Sequence, residues 1–157
     1  MPCSAEQQFG NFQHHEMMQD NKAERTDFGR FFYRFPDGGE SGFDVYTRVS
    51  GFISTMQRAS SQVLEPLEED ATVCLVTHGL ALRLFLMRWF QYSVFEFERS
   101  FNPENGSVVV LEPRREGGTG YLELSEEARV SMGFPRYREQ ERWRLLEDPC
   151  LLEKTEW

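Results

Sequence analysis

The run Ala71-Thr72-Val73-Cys74-Leu75-Val76-Thr77-His78-Gly79-Leu80-Ala81-Leu82-Arg83 decides the fold. Residues 71–77 are rich in β-branched and apolar side chains and read as a buried strand. Gly79 then opens an apolar stretch in which Leu82, Phe85, Leu86, Trp89 and Phe90 give a helix a wide hydrophobic face. The two form a βα unit with His78 at its hinge. In open α/β sheets ligands collect at the carboxyl ends of the strands, and the first turn of the next helix offers unpaired N–H groups to an anion. The expected cargo is a phosphoryl group.

Working outward, Phe28, Phe31, Phe32 and Phe35 recur at helical spacing and predict a helix over 21–35 whose aromatic stripe is core. Pro36-Asp37-Gly38-Gly39 ends it. Ser41-x-x-Asp44 then resembles a capping box, with an acidic residue in place of the usual Glu or Gln, and opens a second helix over 42–64. Downstream, residues 93–99 predict a short helix, Pro103-Glu104-Asn105-Gly106 a turn, and 107–111 a β-branched strand. A hairpin-like return runs through Glu116-Gly117-Gly118-Thr119-Gly120 into Tyr121-Leu122-Glu123-Leu124. From Pro135 onward Arg and Glu are dense among scattered Trp and Leu, the pattern of a solvated helix or a partly ordered tail. The expected organisation is one domain over 1–134 and a charged tail over 135–157, without internal repeats.

Composition bounds the function. A chain of 157 residues forms one domain at most. No apolar run approaches the roughly 18 residues of a membrane span, and the N-terminus lacks a basic start and a hydrophobic signal core. The net charge of −9, without clustered Lys and Arg, argues against nucleic acid. An anionic ligand therefore requires a local positive site. Cys3, Cys74 and Cys150 are odd in number and widely spaced, with no Cys-x-x-Cys pair for zinc. Cys74 reads as a small core residue, and the set favours a reducing, cytosolic or nuclear compartment.

The segment 73–83 resembles the second histidine motif of the histidine phosphatase superfamily, the phosphoglycerate mutase-like proteins. Two other stretches are similar to that family in order and spacing. Glu6-Gln7-Gln8-Phe9-Gly10-Asn11-Phe12-Gln13 resembles the part that carries the acidic proton donor. Phe35-Pro36-Asp37-Gly38-Gly39-Glu40-Ser41 resembles the turn ahead of a long helix, and Asn105-Gly106-Ser107 entering a Val-rich strand also fits. The resemblance implies an α/β, three-layer phosphoglycerate mutase-like fold with a mostly parallel sheet. It implies transfer of a phosphoryl group from a phosphomonoester to a histidine and then to water, with no metal and no cofactor. The expected partner is a phosphorylated small molecule, not nucleic acid or membrane; no reading of oligomeric state follows. Carried over to this chain, His78 is the second histidine that holds the transferring group, with Gly79 and Leu80 beside it as phosphate-binding positions. Glu6 is the acid that protonates the leaving oxygen, a role favoured by shielding of its carboxyl from water. Leu80 and Ala81 after the His-Gly pair point to a phosphatase and away from mutases, which resemble His-Gly-Asn.

Departures from the family pattern carry equal weight. The family's nucleophile lies in an Arg-His-Gly motif at the end of its first strand, and no such triplet occurs here. His14 and His15 are adjacent and lack that context, and Ala5 stands where an Arg commonly precedes the acid. The chain is therefore expected to be the C-terminal part of a family member with its first strand missing. Catalysis is expected to be impaired; the alternatives are a non-catalytic phospho-ligand or partner-binding protein, or an inactive fragment. Of the remaining candidates, His14-His15 read as a solvated pair, Glu40 and Ser41 as turn and helix cap, and Arg83 either as an anion contact or as surface charge.

Overall fold

Residues 31–35 show how the chain departs from simple periodicity. Phe31, Tyr33 and Phe35 are buried while Phe32 and Arg34 between them are exposed, through a turn at 30–32 that Tyr33 N–H closes by donating to the Gly29 carbonyl at 3.0 Å and a bridge between Arg34 and Ser41. The computed structural model describes residues 5–11, 22–62, 72–113 and 122–136. The expected 15-residue aromatic helix is instead a short one, α1 (Lys22–Phe28), stopped at Gly29 with φ +77°. A left-handed residue cannot continue an α-helix, and a side chain on Gly29 would meet the Glu98 carboxylate at 2.8 Å. Phe28 and Phe32 are consequently 69% and 62% exposed, so only half of the predicted aromatic stripe is core.

The Pro36–Gly39 turn follows, closed by Gly39 N–H donating to the Pro36 carbonyl at 3.2 Å. Ser41 then caps α2 (Gly42–Gln62), close to its expected span. Its hydroxyl accepts from Asp44 N–H at 3.2 Å, and the Asp44 carboxylate accepts from Ser41 N–H at 2.7 Å. The box works with Asp as it does with Glu. One stripe of α2, Val45, Val49 and Ile53, packs against α3 (Gly79–Trp89), whose Ala81 and residues 83–87 are buried. Ser93 caps α4 (Val94–Arg99) through a reciprocal box with Glu96. Phe97 of α4 reaches the same core, where it and Leu84 are fully buried.

The expected turn at 103–106 is present, with Ser107 N–H donating to the Glu104 carbonyl at 3.1 Å. The expected hairpin is present too: β1 (Leu111–Pro113) pairs antiparallel with β2 (Leu122–Leu124). Beyond it lies a helix that the sequence reading passed over, α5 (Glu126–Met132). Its signals are ordinary: Ser125 as cap, two Glu in the first turn, and Gly133 in the left-handed conformation at its end. Phe134 just beyond stacks on Tyr92 at 4.8 Å, tying α5 to the rest of the core.

Two expected strands differ. Residues 72–78 lie outside any ladder, with Val73 57%, Leu75 43% and Val76 87% exposed. Cys74 is exposed as well, not a core residue. Residues 107–110 also fall outside the ladder, with Val108 84% exposed, although Ser125 N–H donates to the Val110 carbonyl at 3.2 Å. Strand propensity needs a neighbour to pair with, and among the described residues the one sheet is the two-stranded β1–β2 pair. The expected helix end beyond residue 62, the hairpin tip and the tail from 137 lie outside the described residues.

Leu84→Ala is expected to cost about 2–5 kcal/mol, because it opens a cavity in the fully buried α2–α3–α4 contact; urea unfolding measures it. Burial opposes ionisation of Asp44, but hydrogen bonds from Ser41 and the Arg34 guanidinium outweigh it and hold the carboxyl below the usual carboxylate range. Its contribution is therefore complete above an ordinary Asp pKa of about 3.9 and lost as pH falls through the lower folded value. Asp44→Asn is expected to cost about 1 kcal/mol at pH 7. Denaturation curves of the variant and the parent should converge in strong acid.

Candidate functional site

His78 is the N-cap of α3, in extended conformation with φ −109° and ψ 158°. Its imidazole makes no capping hydrogen bond, and its carbonyl accepts the first intrahelical bond, from Leu82 N–H at 2.9 Å. The N–H groups of Gly79, Leu80 and Ala81 precede that bond and have no intrahelical acceptor. Gly79 and Leu80 line, with His78, a cleft of about 540 Å³. The positive end of the α3 dipole thus opens into the same space as the imidazole.

Glu6 lies across this cleft, with its Oε2 3.7 Å from His78 Nδ1. The residues the sequence reading brought forward, Glu6, His78, Gly79 and Leu80, all converge here although more than 70 positions separate the first from the others. The expected shielding of Glu6 is not present: its side chain is 58% exposed and that of His78 50%. What holds Glu6 in place is its backbone. Its carbonyl accepts from Arg48 at 3.1 Å, buried Gln7 donates to the Glu40 carbonyl at 2.9 Å, and Gln8 N–H donates to the Glu40 carboxylate at 3.0 Å. Glu40 in turn receives two bonds from Arg48, at 3.2 and 3.3 Å, so its role is structural, as expected of the turn. Ser41 is the helix cap.

Arg83 resolves differently from either sequence reading. It is 1% exposed, and its guanidinium donates to Ser100 Oγ at 2.8 Å, the Phe97 carbonyl at 2.6 Å and Asn102 Oδ1 at 3.3 Å. It also lies 4.4 Å from the centre of the Phe97 ring. Burial draws its pKa down to about 10, with the nearby Arg30 and Arg25 charges adding and Glu98 opposing, so it remains cationic at neutral pH.

Arg25 and Arg30, which the sequence reading did not single out, line the same cleft as Asn102 and Ser107. Burial also lowers the Arg25 pKa, with Arg30 adding to the effect and Glu98 countering it. With Arg83 they set three arginines against Glu6 and Glu104 in the cleft lining, a local excess of positive charge in a chain of net charge −9. His14 and His15 lie outside the described residues.

Comparison with known proteins bears on this arrangement directly. The sequence pattern of the histidine phosphatase superfamily (branch 1) matches residues 2–123. The broad-range acid phosphatase DET1 of Saccharomyces cerevisiae is 48% identical over 111 residues, covering 71% of this chain and 33% of that protein. Two phosphoglycerate mutase-like proteins of Arabidopsis thaliana are also similar. AT74 is 42% identical over 145 residues, covering 88% of this chain and 45% of its own length. AT74H is 43% identical over 135 residues, covering 83% and 47%. The chain thus spans between a third and a half of the curated relatives it matches, and no solved structure matches it. A family pattern that runs from the Glu6 segment through the His78 hinge to β2 places this chain in the histidine phosphatase superfamily, branch 1.

Proposed function

We propose that the cleft binds the phosphoryl group of a phosphorylated small molecule. His78, the free N–H groups of Gly79 and Leu80, and the positive field of Arg25, Arg30 and Arg83 surround its oxygens. The observation that carries this reading is the placement of an exposed imidazole on the N-terminus of α3, 3.7 Å from a carboxylate, in a family that handles phosphate. Glu6 faces the ester oxygen as the proton donor. In a complete family domain the P–O ester bond breaks as a histidine nitrogen takes the phosphoryl group, the leaving oxygen gains a proton from the acid, and water then releases phosphate. The acid phosphatase name of the yeast relative supports hydrolysis as that reaction. Residues 72–78 and 107–110 take strand positions in the family's three-layer, mostly parallel sheet in this reading; their exposed valines support it.

A second reading, phosphate binding without turnover, is favoured by one observation: among the described residues lining the cleft, His78 is the one histidine. Both readings share the same anion site and differ in whether the P–O bond breaks.

Titration calorimetry with inorganic phosphate is expected to show binding that His78→Ala weakens by about tenfold or more. Glu6→Gln is expected to tighten it where the carboxylate is ionised, because a negative charge next to the anion is removed. Equal phosphate affinity of the parent and His78→Ala proteins sinks the assignment. Release of nitrophenol from p-nitrophenyl phosphate, abolished by His78→Ala, distinguishes hydrolysis from binding alone.

A further inference from the structure

We propose that Asn102 is a phosphoryl-binding residue of this cleft and that buried Arg83 is the positioning residue that orients it. The inference rests on the reading that the cleft binds a phosphoryl group beside His78. A guanidinium has only donors, so the amide atom that faces it is the oxygen: Arg83 Nη1 donates to Asn102 Oδ1 at 3.3 Å. That bond settles which way the amide points. Its NH₂ group is left on the side of Gly79, with Nδ2 3.0 Å from the position a Gly79 side chain would occupy. Asn102, Gly79 and His78 line the same cleft, and among the described residues no acceptor takes the Nδ2 protons.

Gly79 has a definite reason to be glycine. Any Cβ there would lie 2.8 Å from Asn102 Cγ and push the amide out of place. The close approach puts two N–H donors next to the unpaired N–H groups that open α3, which is where the oxygens of a bound phosphoryl group gather. Arg83 itself is spent on Ser100, the Phe97 carbonyl and Asn102. It acts through the amide, since a cationic donor on Oδ1 polarises the N–H groups at the other end.

Asn102→Asp separates this role from a structural one. An aspartate keeps an acceptor for Arg83, with charge added, but replaces the N–H donors with an anionic oxygen facing the phosphate. The expected result is an unchanged or raised melting temperature together with at least about a tenfold loss of inorganic phosphate affinity. Phosphate affinity retained in Asn102→Asp, while His78→Ala loses it, overturns the role of Asn102 and leaves the phosphate site standing. No phosphate binding by the parent protein overturns both. A second measurement needs no variant to fold: on adding phosphate to the ¹⁵N-labelled parent, the Asn102 side-chain NH₂ resonances are expected to shift downfield. Resonances that stay put while the His78 ring signals move overturn the proposal equally.

Discussion

A guanidinium cannot be buried without partners for its donors, and that constraint on Arg83 organises the site. Its donors reach Ser100, the Phe97 carbonyl and Asn102, on α4 and the segment after it, while its backbone lies in the first turns of α3. Satisfying one side chain therefore fixes α4 and residues 100–102 against the end of α3 that carries His78. Hydrogen bonds to a charged group contribute about 1.5–3 kcal/mol each, and leaving a buried charge unpaired costs more than a single bond is worth. The face of Phe97 covers the guanidinium plane, so apolar packing and charge satisfaction are met by the same residue.

The other wall of the cleft is built by a separate device. Residues 6–8 have no ladder to hold them, yet they are bonded to the Glu40 turn and to Arg48 on α2. The Glu40–Arg48 pair is largely sheltered, with side chains 12% and 14% exposed, and each partner also bonds this segment. Glu98 does similar work from α4, accepting from Phe31 N–H at 2.7 Å while its charge opposes those of Arg25 and Arg83. The cleft of this acidic protein sets Arg25, Arg30 and the hydrogen-bonded Arg83 against Glu6 and Glu104. Net charge governs solubility and long-range encounter, whereas binding follows the local field.

Residues 72–78 and 107–110 show the limit of local pattern. Both have the composition of buried strands, and both present valines to solvent. A strand is a relation between segments: without a partner its N–H and C=O groups face water and its side chains have nothing to pack on. The β1–β2 pair forms where a neighbour exists and stops at Leu111, although the β-branched run begins three residues earlier, at Val108.

The beginnings of α2, α3 and α4 were legible because their causes are local. A Ser followed three residues later by an acid satisfies orphan N–H groups at the start of α2 and α4, and the apolar face of α3 reflects 3.6-residue geometry. The same locality made Glu6, His78, Gly79 and Leu80 recognisable as pieces of motifs. The end of α1 was misread because the spacing of Phe28, Phe31 and Phe32 suits a helix, while the left-handed Gly29 ends it and a turn at 30–32 follows. The burial of Arg83, the orientation of Asn102 and the presence of Arg25 and Arg30 in one cleft depend on contacts between distant segments. By itself the sequence determined where α2, α3 and α4 begin and which helix start leaves N–H groups without an intrahelical acceptor, since those follow from neighbouring backbone groups. Only the tertiary structure decided which charges are buried, which valines remain uncovered and which donors share the cleft, since burial and field are set by what the rest of the chain brings alongside.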